Sequence, residues 1–256
     1  MHVFPIIELG GIPFDLSSII AILVSSILVF ALARAAVSNL SVHNPSKIQN
    51  FMEWVLEFMH STIASTMPMH RAKRFITLGT TLIMFIFISN LLGLPFGIVT
   101  DVKEELKWGN VVVISQETIE EHGGYAHVAW WKSPTADIAV TAGLAIVVFL
   151  LVHILGLMMN TKHYLKHYFE PYWFFFPLNV IKEISKPVTL ALRLYANIFA
   201  GEVLIATILM LGWIGFPLLS IWQGFSIFIG AIQAFLFTVL TMVYISQATV
   251  HEEEGH

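Results

Sequence analysis

The sequence predicts an all-α, polytopic membrane protein. It has five transmembrane helices, the last two forming a long tilted hairpin, and one amphipathic helix in the membrane interface. Three observations carry this reading. Hydrophobic residues make up 57% of the chain and charged residues 12%, against about 25% charged in soluble domains. Runs free of Asp, Glu, Lys and Arg recur at lengths near the ~20 residues that cross a bilayer core. Most Lys and Arg residues collect between those runs. The chain has no cysteine, which excludes disulfides, thiol nucleophiles and thiolate metal sites. A net charge of -4 leaves no basic footprint for nucleic acid.

Residues 1–256 read as a single membrane domain. Residues 1–15, with Pro5, Gly10, Gly11 and Pro13, read as an extended leader outside the membrane. They lack the positive n-region and small-residue cleavage site of a signal peptide, so the first span serves as its own insertion signal. That span covers 16–37; it is uncharged up to Arg34, which can snorkel to headgroups. Residues 46–66 start on the capping-box pair Ser46 and Gln49. They carry Ile48, Phe51, Met52, Val55, Met59 and Ile63 as an apolar stripe, the pattern of a helix lying in the interface.

His70, Arg71, Lys73 and Arg74 then act as a topology signal before the second span, 75–99. Asn90 sits near its end and either lines a water path or satisfies a neighbouring helix. Residues 100–136 are the most polar stretch and form an external loop, with VVVISQ at 111–116 as a short extended piece. The third span covers 137–160, where His153 reads as a packed, hydrogen-bonded histidine. Residues 161–171 read as a solvated basic loop; His163 and His167 have metal-pair spacing but no third ligand nearby. The aromatic run YWFFFP marks the interface ahead of the fourth span, 176–211, with Lys186 as an anchor. Gly212, Gly215 and Pro217 make the turn into the last span, 218–248, and the tail HEEEGH is solvated. That last helix is ~45 Å long against a core of ~30 Å, so it must tilt or protrude.

The functional signal lies in residues 185–202, SKPVTLALRLYANIFAGE. A charge inside a span costs ~2.5–3.5 kcal/mol on insertion scales. Arg193 cannot escape that cost by losing its proton. At ~100° per residue Asn197, Ala200 and Leu204 share its face, while Glu202 lies opposite, so the two charges are not an internal pair. Small residues Thr189, Ala196 and Ala200 near Arg193 would let another helix approach. Arg193 is therefore presented to a partner helix whose carboxylate lies outside this chain.

These residues, with PTADIAVT at 134–141, SNLLGLP at 89–95 and FSIFIGAIQAFLFTVLTMVYISQA near the C-terminus, strongly resemble subunit a of F-type ATP synthases. The resemblance spans most of the chain from residue 75 onward. It implies the stator of a proton channel, in which two half-channels pass protons to and from the carboxylates of a rotating subunit c ring. It also implies a peripheral stalk of subunit b, no cofactor, no metal and no catalysis in this chain. Gln233 matches the family glutamine of the last helix, Asn197 the asparagine after the arginine, and Glu202 an acid of the outer half-channel. Asn90 matches a polar position of the same path. Ser226 stands where the family often has histidine; serine cannot take up a proton near neutral pH, which leaves Glu202 the main titrating group. Glu183 is a candidate for the inner exit.

Two other classes compete. An ion-coupled permease using Arg193 and Glu202 calls for inverted repeats, and a membrane-embedded enzyme calls for clustered acids, histidines or metal ligands; the sequence supplies neither. Lys and Arg placement puts the N-terminus outside and the C-terminus in the cytoplasm of a bacterial plasma membrane. The coupling ion, H+ or Na+, is written in the rotor's sequence rather than in this one.

Overall fold

A computed structural model describes residues 4–9, 12–93, 99–108, 111–121, 124, 126–169 and 172–249. The tail at 251–256 and the glycines at 10 and 11 lie outside these residues. The leader is a hairpin, β1 (Ile6–Leu9) antiparallel to β2 (Ile12–Asp15), rather than a single extended strand. Asp15 then caps α1 (Leu16–Val37), accepting from the Ser17 and Ser18 N–H groups at 2.9 and 3.3 Å.

Ser46 caps α2 (Lys47–Ala64), accepting from Gln49 N–H at 3.1 Å, but the reciprocal half of the predicted capping box is not made, because the Gln49 side chain bonds Ser41 and Glu53 instead. The apolar stripe of α2 divides in two. Val55, Met59 and Ile63 are buried against the body of the protein, so this part of the stripe faces neighbouring helices and not lipid. Phe51, Trp54 and Phe58 stay exposed as a stacked aromatic ridge.

Helix α3 runs Met69–Leu92, earlier than the predicted 75–99. Nothing breaks the chain between Pro68 and the basic cluster, so that cluster lies within the first turns. Arg71 donates to the Thr249 carbonyl, and Ser246 Oγ donates to the Thr66 carbonyl at 2.7 Å, which ties this end of α3 to the far end of the last helix.

The polar stretch is more than a loop. It holds β3 (Val99–Val102), β4 (Leu106–Trp108), β5 (Val111–Ile114), a short α4 (Gln116–Glu121) and β6 (Ala126–Ala129). Strand β3 pairs with β6 and β4 with β5. Val113, Ile114, Ile119, Ala126 and Val128 form a small core, with Ile7 of the leader packed against it.

Helix α5 runs Ile138–His167. Residues 161–167 are therefore helical rather than a loop, because no glycine or proline interrupts them; the side chains of His163 and His167 lie outside the described residues. Helix α6 runs Phe176–Leu209 and α7 runs Gly215–Thr249. The turn between them is residues 210–214, closed by the 3-10 turn Gly212–Ile214, with Gly212 at φ +60°, where a side chain would be strained. Pro217 sits inside the first turn of α7, where its missing N–H is harmless. Among the described residues five helices are long and apolar enough to cross a membrane, Leu16–Val37, His70–Leu92, Ile138–Met159, Trp173–Leu209 and Gly212–Thr249. The chain is an all-α polytopic membrane protein.

Helix α7 is the axis of the packing and touches α3, α5 and α6. Met59, Ile86, Leu194, Phe237, Met242 and Ile245 are fully buried in the shared core.

Candidate functional site

Helix α6 carries both charges of interest. It starts with Pro177 in its first turn and continues through Pro187 in its interior, where a backbone bond is lost. Ser185 Oγ and Thr189 Oγ1 each return a hydrogen bond to the carbonyl four residues back, at 2.7 Å. Polar hydroxyls in this part of the span are thus spent on their own helix.

Arg193 is half-buried, and no ion pair or hydrogen bond joins it to any of the described residues. Asn197 and Ala200 beside it are exposed. The guanidinium lies within electrostatic reach of Tyr244 on α7.

A cavity of about 580 Å³ opens on the later part of α6. Asn90 from α3, Asn197 and Glu202 from α6, and Ser226 from α7 all line it. Four residues picked out by sequence therefore meet in one space. Trp222, one turn before Ser226, lines it too. The Ser226 hydroxyl and the Trp222 indole N–H are buried without a hydrogen-bond partner among the described residues.

Gln233 joins the group indirectly. Asn197 Nδ2 donates to Gln233 Oε1 at 2.9 Å, bridging α6 and α7. Gln233 is 1% exposed, and its Nε2 has no partner among the described residues. An unmade bond at a buried donor costs ~1–3 kcal/mol.

Asn90 is equally constrained. Its Nδ2 donates to the Gly230 carbonyl at 3.0 Å, and its Oδ1 accepts from Thr135 Oγ1 at 2.6 Å. Of the two readings left open by sequence, the structure shows the bond to a neighbouring helix, and Asn90 also lines the cavity. Thr135 belongs to the 3-10 turn Pro134–Ala136, which packs against α6. Ser133 Oγ lies 3.0 Å from the Ser89 carbonyl and 2.8 Å from Thr135 Oγ1. The Lys132 charge and the Ser133 backbone lie within electrostatic reach of the Glu202 carboxylate.

Glu183 lies apart from this cavity, toward the start of α6. It is buried and paired with Lys186 at 2.5 Å, so Lys186 is an ion-pair partner rather than a simple interface anchor. Lys186 also stands over the Tyr244 ring at 5.2 Å. A small second cleft lined by His153, Glu183, Lys186 and Tyr244 lies between α5, α6 and α7. His153 is packed and hydrogen-bonded, as its sequence context predicts, with Nδ1 2.8 Å from the Phe149 carbonyl and Nε2 3.2 Å from the Tyr168 hydroxyl.

Sequence reasoning missed Lys132, Ser133, Thr135 and Trp222. Lys132 read as one more loop charge. The available signal was Asp15, directly before an apolar run, which is the mark of a helix cap that brings the leader to the mouth of the site.

Comparison with known proteins follows the same residues. The family model described as ATP synthase A chain matches residues 16–246. ATP synthase subunit a of Priestia megaterium is 44% identical over 254 residues, covering 96% of both chains. The Bacillus subtilis subunit a is 41% identical over 268 residues, covering 98% of this chain and 99% of the relative. The Staphylococcus aureus subunit a is 42% identical over 250 residues, covering 94% and 93%. With a match that runs from the first residue of α1 to within three residues of the end of α7 and takes in every residue of the cavity, this chain belongs to the ATP synthase A chain family.

Proposed function

We propose that this chain is the stator of an ATP synthase proton channel. It forms two half-channels that pass protons to and from the carboxylates of a rotating subunit c ring, and performs no ATP chemistry itself. The observation that carries the proposal is the division of α6. Glu202 opens into a polar-lined cavity with Asn90, Asn197 and Ser226, whereas Arg193 is left without a partner among the described residues. A proton reaches the outer cavity, is held at Glu202, and passes to a rotor carboxylate. Arg193 favours the ionised form of that carboxylate and so drives release as the carrier passes. Its fixed charge also repels protons and keeps the two half-channels from joining. Gln233 and Asn197, bonded to each other, brace α7 against α6 near the arginine. Glu183, at the other end of α6, marks the inner exit.

The chain works in a complex with the ring and a subunit b stalk, in a bacterial plasma membrane, with the N-terminus outside and the C-terminus in the cytoplasm. The exposed Phe51, Trp54 and Phe58 ridge of α2 lies in the interface. The 35 residues of α7 are ~52 Å long, so α6 and α7 lie tilted along the ring.

Arg193→Ala and Arg193→Lys test this. Both variants assemble, because removing or softening the charge relieves a desolvation cost. In vesicles stripped of the catalytic head, Arg193→Ala leaks protons passively. Arg193→Lys leaks less but does not sustain ATP synthesis in intact vesicles, because a buried ammonium can lose its proton and lacks the planar fork. Wild-type synthesis by Arg193→Lys would defeat the permanent-charge argument, and unchanged leak and synthesis in both variants would defeat the whole assignment.

A further inference from the structure

One short segment, residues 132–137, packs behind the cavity and bonds one of its lining residues, Asn90, through Thr135. Its first side chain, Lys132, bonds two carboxylates that lie far apart in sequence. Nζ contacts Asp15 at the end of the leader hairpin and Asp137 at 2.8 Å. It also stands 4.4 Å from the Phe4 ring centroid. All three charged side chains are largely buried, at 12% exposure for Lys132, 19% for Asp15 and 15% for Asp137. Each carboxylate also starts a helix: Asp15 accepts from Ser17 N–H on α1, and Asp137 from Ala139 N–H at 2.8 Å on α5. Ser18 Oγ adds a bond to Asp137 at 2.8 Å. A single cation therefore joins the leader, α1 and α5.

The next residues turn inward. Ser133 and Thr135 are buried, at 0% and 1% exposure. The Ser133 backbone lies within electrostatic reach of Glu202, and the Thr135 hydroxyl donates to Asn90, which lines the same cavity as Glu202. We infer that Lys132 is a positioning residue of the outer proton path: by tying Asp15 to Asp137 it fixes the turn whose Thr135 hydroxyl holds Asn90 on the wall of the cavity that Glu202 lines.

The electrostatics agree with this geometry. Burial works against the Lys132 cation, yet its hydrogen bonds to Asp137 and Asp15 outweigh it and hold the ammonium above the usual lysine value. Burial likewise opposes the Asp137 carboxylate, while the bonds from Lys132 and Ser18 hold it below the usual range. Without the cation, Asp15 and Asp137 would face each other across the space that Lys132 Nζ fills. Like charges at close range repel, and the turn would move.

The inference rests on reading Glu202 as part of the proton path. Its test uses the complete ATP synthase in vesicles, with Lys132→Met, Lys132→Arg and the double variant Asp15→Asn, Lys132→Met. Membrane-bound complex is quantified first, and proton conduction is then measured after the catalytic head is removed. A misplacement on the order of 1 Å near a reacting group costs up to ~100-fold, so Lys132→Met lowers conduction by ~10- to 100-fold at normal assembly. The double variant also assembles and stays defective, because the repulsion is gone but so is the tie. Lys132→Arg recovers conduction, since it restores a cation to both carboxylates. Wild-type conduction in Lys132→Met overturns the inference, as does a Lys132→Arg variant no better than Lys132→Met. If Lys132→Met fails to assemble, the double variant and Lys132→Arg decide. Glu202→Gln separates the two readings: unchanged conduction there defeats the proton-path assignment, whereas blocked conduction beside a normal Lys132→Met defeats the Lys132 inference alone.

Discussion

Glu202 is the sole carboxylate lining the cavity among the described residues, and the hydroxyl across from it, on Ser226, does not titrate near neutral pH. On the proposed function, the task of holding a proton there falls to one side chain. Glu202→Gln keeps the shape and removes that capacity, so proton-driven ATP synthesis falls by ~100-fold or more while the complex still assembles. Rates close to wild type, measured on inverted vesicles at matched complex content, would remove Glu202 from the path. At this scale sequence spoke clearly wherever a charge stood inside an apolar run, because the insertion cost is steep and local. Arg193 and Glu202 stood out for that reason. Lys132 did not, because a charge in a polar loop costs nothing until the fold buries it between Asp15 and Asp137. The hydroxyls were equally opaque: Thr238 and Thr241 return a bond to their own helix, whereas Thr135 reaches another segment, and nothing in the sequence separates these cases.

Helix cores were legible and helix ends were not. Apolar runs located α1, α3, α5, α6 and α7, but the runs stop where polarity begins, and the helices do not. The backbone of α3 starts at Met69 inside a basic cluster, and that of α5 continues to His167, because polar residues are good helix formers when no breaker intervenes. The stripe on α2 was visible, but which neighbour it faces is a tertiary fact. Close approach between elements was invisible as well. Gly93 ends α3 where the chain passes against Ser133, and a Cβ there would strike the Ser133 side chain and backbone. Gly93→Ala therefore pushes the turn away from the Ser89 carbonyl at a cost of ~1–3 kcal/mol. Lowered thermal stability of the purified complex, together with reduced proton conduction, is the expected result. Full stability and conduction would show that the turn can yield freely.

At the scale of the whole molecule the antiparallel order of the long helices puts Asp15, the 132–137 turn and Glu202 at one end. Glu183, Lys186 and the Tyr164–Tyr168 pair lie at the other. Positive-inside counting assigns the first end to the outside. The absence of native cysteine makes this directly testable with single introduced thiols. Val42, 95% exposed between α1 and α2, and Glu104, exposed in the outer segment, are the two sites. Val42→Cys reacts with a membrane-impermeant maleimide only in inverted vesicles, and Glu104→Cys only in right-side-out ones; the opposite pattern would invert the topology.

The unmatched guanidinium also matters for which molecules survive. A solitary copy of this chain carries Arg193 in lipid at ~2.5–3.5 kcal/mol, a factor of ~100 or more in an equilibrium constant. A neighbour that supplies the missing carboxylate recovers that factor, and only when seated against the right stretch of α6. The side chain proposed to govern transport would thus also discriminate between orphan and assembled subunits, and would do so by thermodynamics alone.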